Sequence, residues 1–205
     1  MIGEILLSLL AVAIAYLLGS IPSAYLIGRW FKGIDIREIG DGRLGATAAY
    51  RRVGFGGGII VFIMDAGKGA AAVLIAQMIM GLPLAVVLIA GLAAVVGHNW
   101  SMFLHFKGGK GALTTYGVLV SLMFWQFFAA LAMAAIAVII TKKTGFSTGV
   151  LFCFLALLNL VSGSPVLLII FPIIISVPMV LKHISMPKAG GTVRASIEKL
   201  GSREG

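Results

Sequence analysis

The sequence predicts an all-α, polytopic membrane protein with five to seven transmembrane helices, some of them short or broken. Three observations predict it. Residues 5–28, 69–104, 111–141 and 144–181 contain no Asp, Glu, Lys or Arg, and about 20 apolar residues in a helix span a hydrocarbon core roughly 30 Å thick. Of the 205 residues 60% are hydrophobic and 11% charged, against roughly 25% charged in a soluble domain. Strand-type alternation at period 2 is absent, which disfavours a transmembrane barrel and leaves helices to satisfy the backbone.

In chain order, the first helix runs from about Ile5 to Ile27 and ends at a polar stretch, Gly28 to Gly54. Met1–Glu4 is acidic, and Arg29 and Lys32 follow the apolar run instead of preceding it, the reverse of a cleaved signal peptide. The apolar chain resumes at Phe55, interrupted by Asp65 and Lys68, and Gly81-Leu82-Pro83 marks a turn. A second polar stretch covers His98 to Gly111, and a third apolar window closes at Lys142-Lys143. The fourth is broken at Ser162-Gly163-Ser164-Pro165 and leads to a basic tail. The whole chain, 1–205, reads as one membrane domain, with 187–205 a mobile cytoplasmic tail rich in Gly and polar residues.

With an odd number of crossings between successive basic segments, thirteen of the sixteen Lys and Arg residues share one face. The positive-inside rule makes that face cytoplasmic and puts the N-terminus outside, with Lys142 and Lys143 left on the outer side. No repeat relates the two halves, unlike inverted-repeat transporters. The single Cys153 lies mid-helix and reads as a packing residue, so neither a disulfide framework nor a cysteine metal site is expected.

Three stretches carry chemistry. In Phe106-Lys107-Gly108-Gly109-Lys110-Gly111, three glycines and two lysines precede a helix start. Bare amides, the positive helix end and ammonium groups together make a phosphate cradle, although a basic cytoplasmic loop would read the same way. It is not a Walker A loop, because the glycine spacing and the Lys-Ser/Thr ending are missing. Gly40, Gly42 and Gly45 expose amides beside Asp41, Arg43, Arg51 and Arg52, and Thr47 is placed to cap a helix. Arginine grips phosphate with paired hydrogen bonds, while Arg–Asp pairing in a solvated loop is the alternative. Asp65 and Lys68, three apart in an apolar context, either pair with each other or serve a site. His98 and His183 enter the same face from two segments; no pair of histidines has metal-ligand spacing. No Gly-x-Ser-x-Gly elbow is present.

At these residues the chain resembles the bacterial acyl-phosphate:glycerol-3-phosphate acyltransferase family. The match is collinear: Gly19-Ser20-Ile21-Pro22, Asp35-Ile36-Arg37, the loop ending Gly45-Ala46-Thr47, Arg51, Asp65-x-x-Lys68-Gly69, Gly97-His98, Phe106 to Gly111, and His183. The resemblance implies transfer of a fatty acyl group from acyl-phosphate to the 1-hydroxyl of sn-glycerol 3-phosphate, giving lysophosphatidic acid and phosphate for phospholipid biosynthesis. It implies a bacterial inner-membrane protein with those two substrates and membrane lipid as partners. No cofactor, metal, nucleic acid or stable protein partner is implied.

On this reading Lys107, His98, Arg51 and His183 are the catalytic candidates. Gly40, Asp41, Gly42, Arg43, Gly45, Thr47, Lys68, Gly108, Gly109, Lys110 and Gly111 are the substrate-binding candidates. The chain departs from the family pattern at Asp41, Arg43 and Ala48 in the first loop, at Ser101, and at Met186. Asp41 puts a carboxylate where the family has a hydroxyl, and Arg43 is placed to neutralise it. A diverged relative with another acceptor or without catalysis, and a transporter of a phosphorylated molecule, are the alternative readings.

Overall fold

In the computed structural model, residues 2–39 and 44–185 are described. They form nine α-helices and no strand. The helices are α1 (Ile2–Ser20), α2 (Ser23–Lys32), α3 (Ala46–Val53), α4 (Phe55–Leu74), α5 (Leu84–Asn99), α6 (Ala112–Leu122), α7 (Phe124–Thr141), α8 (Thr144–Val161) and α9 (Val166–Ser185). Six segments are long and apolar enough to cross a membrane: Ile2–Lys32, Phe55–Ile79, Leu84–Leu104, Phe124–Thr141, Thr144–Val161 and Val166–Ser185. The first is broken at Ile21-Pro22, where the ring removes a donor and ends α1. The short α6 is the seventh apolar helix. The protein is an integral membrane protein, and the expected five to seven helices with short and broken members are found.

Small residues let the inner helices touch through their backbones. A side chain on Gly19 would strike Ala94, and one on Gly97 would strike the Tyr16 carbonyl. On the other side of α4, Gly69 faces the carbonyl of Thr114, and Gly117 faces that of Ala66. Lipid tails are as apolar as leucine, so such packing, rather than hydrophobic exclusion, holds membrane helices together. Around this crossing the core is filled by Val73, Val87, Val95, Val118 and Leu119, all buried. The outward faces of α7 and α8 are apolar and open to lipid; Trp125 is 81% exposed and Val161 77%.

The second half is an antiparallel run of α7, α8 and α9. Asn159 near the end of α8 donates to Met123 Sδ at the start of α7, and Ser164 N donates to Asn159 O in the turn into α9. At the other end of this run, Lys182 Nζ sits 5.5 Å from the centre of the Trp100 ring. Asn99 Nδ2 also donates to the carbonyl of Pro178, 2.9 Å away, one of two prolines inside α9. The end of α9 therefore lies beside the end of α5. It follows that Lys142-Lys143, joining α7 to α8, lies at the same end as the glycine loop. The sequence reading put this pair on the opposite face. The difference comes from crossing number: the short α6 and the full-length α7, joined at the single residue Met123, are two helices within one uncharged window.

Between α2 and α3 a 3-10 turn, Ile36–Glu38, is pinned by its charges. Asp35 Oδ1 accepts from the amide of Arg37 at 2.9 Å, and Asp35 Oδ2 lies 2.6 Å from Arg37 Nη2. That hydrogen bond from Arg37 holds the Asp35 carboxyl below its ordinary range. The Arg37 guanidinium also covers the Tyr25 ring of α2 at 4.9 Å. Arg52 reaches back to the carbonyl of Ile36 at 2.7 Å.

Candidate active site

The glycine-rich loop folds back on the end of α5. Trp100 closes that helix, and the amides of Gly108 and Gly109 donate to the carbonyls of Asn99 and His98, each at 3.2 Å. These donors complete the helix terminus. They are therefore not the open phosphate cradle that the sequence suggested. Gly109 lies flat against His98, where any side chain would meet Nε2 and the carbonyl of Leu44. Gly111, at φ 77, is in the left-handed region that glycine alone enters without strain, and a side chain there would strike Asn99 Oδ1. It is the N-cap of α6.

The open amides lie one step further on. The first turn of α6 leaves its N–H groups without intrahelical partners, and so does the first turn of α3. Both turns line one cavity of about 480 Å³: Gly45, Ala46 and Thr47 from α3, Gly111, Ala112 and Leu113 from α6. Arg51, Arg52 and Lys110 line it as well. Two helix N-termini and three cations outnumber the single carboxylate of Asp65 in this lining, the setting in which phosphate binds. Its wall includes Phe62 of α4, itself 53% exposed on the lipid-facing side. A chamber bearing cations thus opens beside an exposed aromatic ring.

Beneath the cavity lies a buried cluster. Asp65 Oδ1 accepts from Ser23 Oγ at 2.9 Å and pairs with Lys68 Nζ at 2.9 Å. Lys68 Nζ also donates to the carbonyl of Ile21, 2.9 Å away at the α1–α2 break. His98 Nδ1 stands 3.5 Å from the same carboxylate oxygen. Asp65 and His98 both line the cavity, whereas Lys68 does not. A second space of about 20 Å³, room for one water, touches Asp65, Lys68, His98 and Gly109.

These positions belong to a known lineage. The family model for glycerol-3-phosphate acyltransferase matches residues 9–189. The chain belongs to the glycerol-3-phosphate acyltransferase family. It is 40% identical over 200 residues to the glycerol-3-phosphate acyltransferase of Parasynechococcus marenigrum (strain WH8102), covering 98% of this chain and 89% of the relative. Glycerol-3-phosphate acyltransferase 2 of Moorella thermoacetica (strain ATCC 39073 / JCM 9320) is 49% identical over 129 residues, 61% of this chain and 66% of that one. Among solved structures, the glycerol 3-phosphate form of PlsY (YgiH), an integral membrane glycerol 3-phosphate acyltransferase, superposes with a TM-score of 0.75. It is 30% identical and covers 95% of this chain and 92% of its own. The lysophosphatidic acid form gives a TM-score of 0.74 at 29% identity, with the same coverage.

Membership of the glycerol-3-phosphate acyltransferase family makes the chain an acyltransferase of lipid biosynthesis, as the resemblance implied. Of the sequence-predicted site residues, Arg51, His98, Gly45, Thr47, Lys110 and Gly111 come together on the large cavity. Gly108 and Gly109 line the small one, and Lys68 is buried behind Asp65. Lys107 and His183 are exposed and line neither space. Gly40, Asp41, Gly42 and Arg43 lie outside the described residues, as do Met186 and the tail. Sequence reasoning missed Ser23 and the inward turn of Lys182, and it named Asp65 without placing it in the site. Ser23 follows a Pro that ends a helix, and Asp65 stands i,i+3 to Lys68; both signals were present.

Proposed function

We propose that the cationic cavity is where an acyl group passes from acyl-phosphate to the 1-hydroxyl of sn-glycerol 3-phosphate. The observation that carries this is the convergence of the α3 and α6 N-termini with Arg51 and Lys110 on one chamber beside the lipid-exposed Phe62. Both substrates carry phosphate, and one carries an acyl chain that must enter from the bilayer. Arg51 with the Gly45–Thr47 turn takes one phosphate; Lys110 with the α6 amides takes the other, and His98 orients the reacting groups. Gly40, Asp41, Gly42 and Arg43 join Arg51 in binding substrate on this reading, while Lys107 and His183, which line neither space, take no phosphate.

The hydroxyl oxygen adds to the acyl carbonyl carbon, and the mixed-anhydride C–O bond then breaks. Phosphate leaves with the electron pair, and the hydroxyl proton ends on a phosphate oxygen. Acyl-phosphate is already activated, so positioning and charge stabilisation supply the rate without a protein nucleophile. The basic end faces the cytoplasm of a bacterial inner membrane with the N-terminus outside, a reading to which Lys142-Lys143 now adds instead of objecting. The chain acts as one membrane domain.

The test is phosphate release by the full chain in lipid with palmitoyl-phosphate, with and without glycerol 3-phosphate, and with palmitoyl-CoA as the control donor. Release that requires glycerol 3-phosphate and yields lysophosphatidic acid supports the reading. Transfer from palmitoyl-CoA alone would overturn the choice of donor.

A further inference from the structure

We infer that Ser23, Asp65 and Lys68 form a positioning network that fixes the His98 ring against the glycine loop, and that Lys68 acts through Asp65 instead of binding substrate phosphate. The inference rests on the proposed site above. Three elements meet at a single oxygen. Asp65 Oδ1 receives Ser23 Oγ from α2 and Lys68 Nζ from its own helix, each at 2.9 Å, and faces His98 Nδ1 of α5 at 3.5 Å. Lys68 is 8% exposed and Asp65 2%, so neither charge is free to follow a ligand. The Lys68 amine is divided between the carboxylate and the Ile21 carbonyl.

The chemistry needs both ends of the ring. His98 Nδ1 is buried without a hydrogen-bond partner and stands 3.5 Å from the Asp65 carboxylate, and the opposite edge, Nε2, is the part that Gly109 packs against. An imidazole whose Nδ1–H faces a fixed carboxylate has its ring plane and tautomer set by that carboxylate. The glycine loop that caps α5 through His98 O and Asn99 O then rests on a ring of fixed orientation. Lys68 compensates the buried Asp65 charge, and Ser23 ties the carboxylate to the segment after the α1–α2 break. Breaking the network tilts His98 and the loop without removing any phosphate contact.

Steady-state kinetics of the full chain in lipid, with palmitoyl-phosphate and glycerol 3-phosphate, separate the two roles. Asp65→Asn and Lys68→Met should each lower kcat about tenfold or more, with KM for glycerol 3-phosphate within about twofold. Ser23→Thr should keep kcat near wild type where Ser23→Ala lowers it. A KM raised tenfold with kcat preserved in Lys68→Met would overturn the inference and make Lys68 a phosphate ligand. The second readout needs no turnover: the 15N spectrum of the imidazoles, assigned with His98→Gln. It should show a protonated Nδ1 on His98 whose signal moves in Asp65→Asn. An unprotonated Nδ1 in the wild type would overturn the network, whatever the donor proves to be.

Discussion

The amide of Gly109 donates to the carbonyl of His98 over 3.2 Å, while the bare α-carbon of the same glycine faces the His98 ring. One residue thus closes a helix and seats a side chain of the site. Gly109→Ala would drive a methyl group into His98 Nε2 and the Leu44 carbonyl. Turnover should fall by more than tenfold in the phosphate-release assay, with the protein still monodisperse. Gly33→Ala, where no atom stands within 4 Å, should leave turnover within about twofold despite its backbone strain.

Arg51 lines the cavity and Lys107 does not. Arg51→Ala should raise KM for one of the two phosphate substrates by about tenfold to a hundredfold, the scale for losing a charge-assisted contact of about 1.5–3 kcal/mol. Lys107→Ala should shift either constant by less than about twofold. Titration of each substrate at saturating levels of the other reads both results.

The α4–α6 crossing gives a stability prediction. Gly117→Ala and Gly69→Ala put a methyl group onto the backbone of the partner helix, and overpacking of this kind costs about 1–3 kcal/mol. Gly67→Ala on the same α4 meets nothing within 4 Å and should be neutral or stabilising by about 1 kcal/mol through helix propensity. Unfolding in mixed micelles would order the three variants.

Removing one member of the Asp65–Lys68 pair strands a buried charge, at a cost of about 3–5 kcal/mol. The double variant Asp65→Asn with Lys68→Met leaves no charge behind, so it should unfold later than Lys68→Met alone. Equal stability of the double and single variants would show that the pair is not coupled.

The Asp35–Arg37 pair predicts a pH dependence. The folded carboxyl is held below its ordinary value by its hydrogen bond to Arg37. Its contribution is therefore present above the unfolded value of about 3.9 and is lost as pH falls through the depressed folded value. Asp35→Asn should lower the unfolding midpoint at neutral pH, and the gap from wild type should close below about pH 3.9. Melting curves from pH 7 down to pH 3 would trace it.

Helix positions were legible because hydrocarbon imposes a length and forbids charge; the uncharged windows 5–28 and 144–181 cover all but the ends of α1 and of α8–α9. The split at Met123 was not, since a backbone break between two apolar helices changes no hydropathy. That single residue reversed the side assigned to Lys142-Lys143. In the site, Arg51, Lys110 and the glycines could be read because phosphate chemistry favours those residue types. The engagement of the Gly108 and Gly109 amides could not, because it depends on the loop folding back onto α5. Nor could the outward turn of His183 beside the inward Lys182: on a helix, neighbours differ by about 100°, and only the packing of α9 on Trp100 chooses between them.

Lys142-Lys143 lies at the loop end of the bundle, so the turns at the opposite end, residues 80–83, 123 and 162–165, contain no lysine or arginine. Carrying one elementary charge across a potential of 100 mV costs about 2.3 kcal/mol. During biosynthesis those three turns can be translocated without dragging a single cation against the field. An upside-down chain would have to haul every loop cation across. In the orientation proposed above, electrical work on the nascent turns favours that arrangement before any helix has found its neighbour.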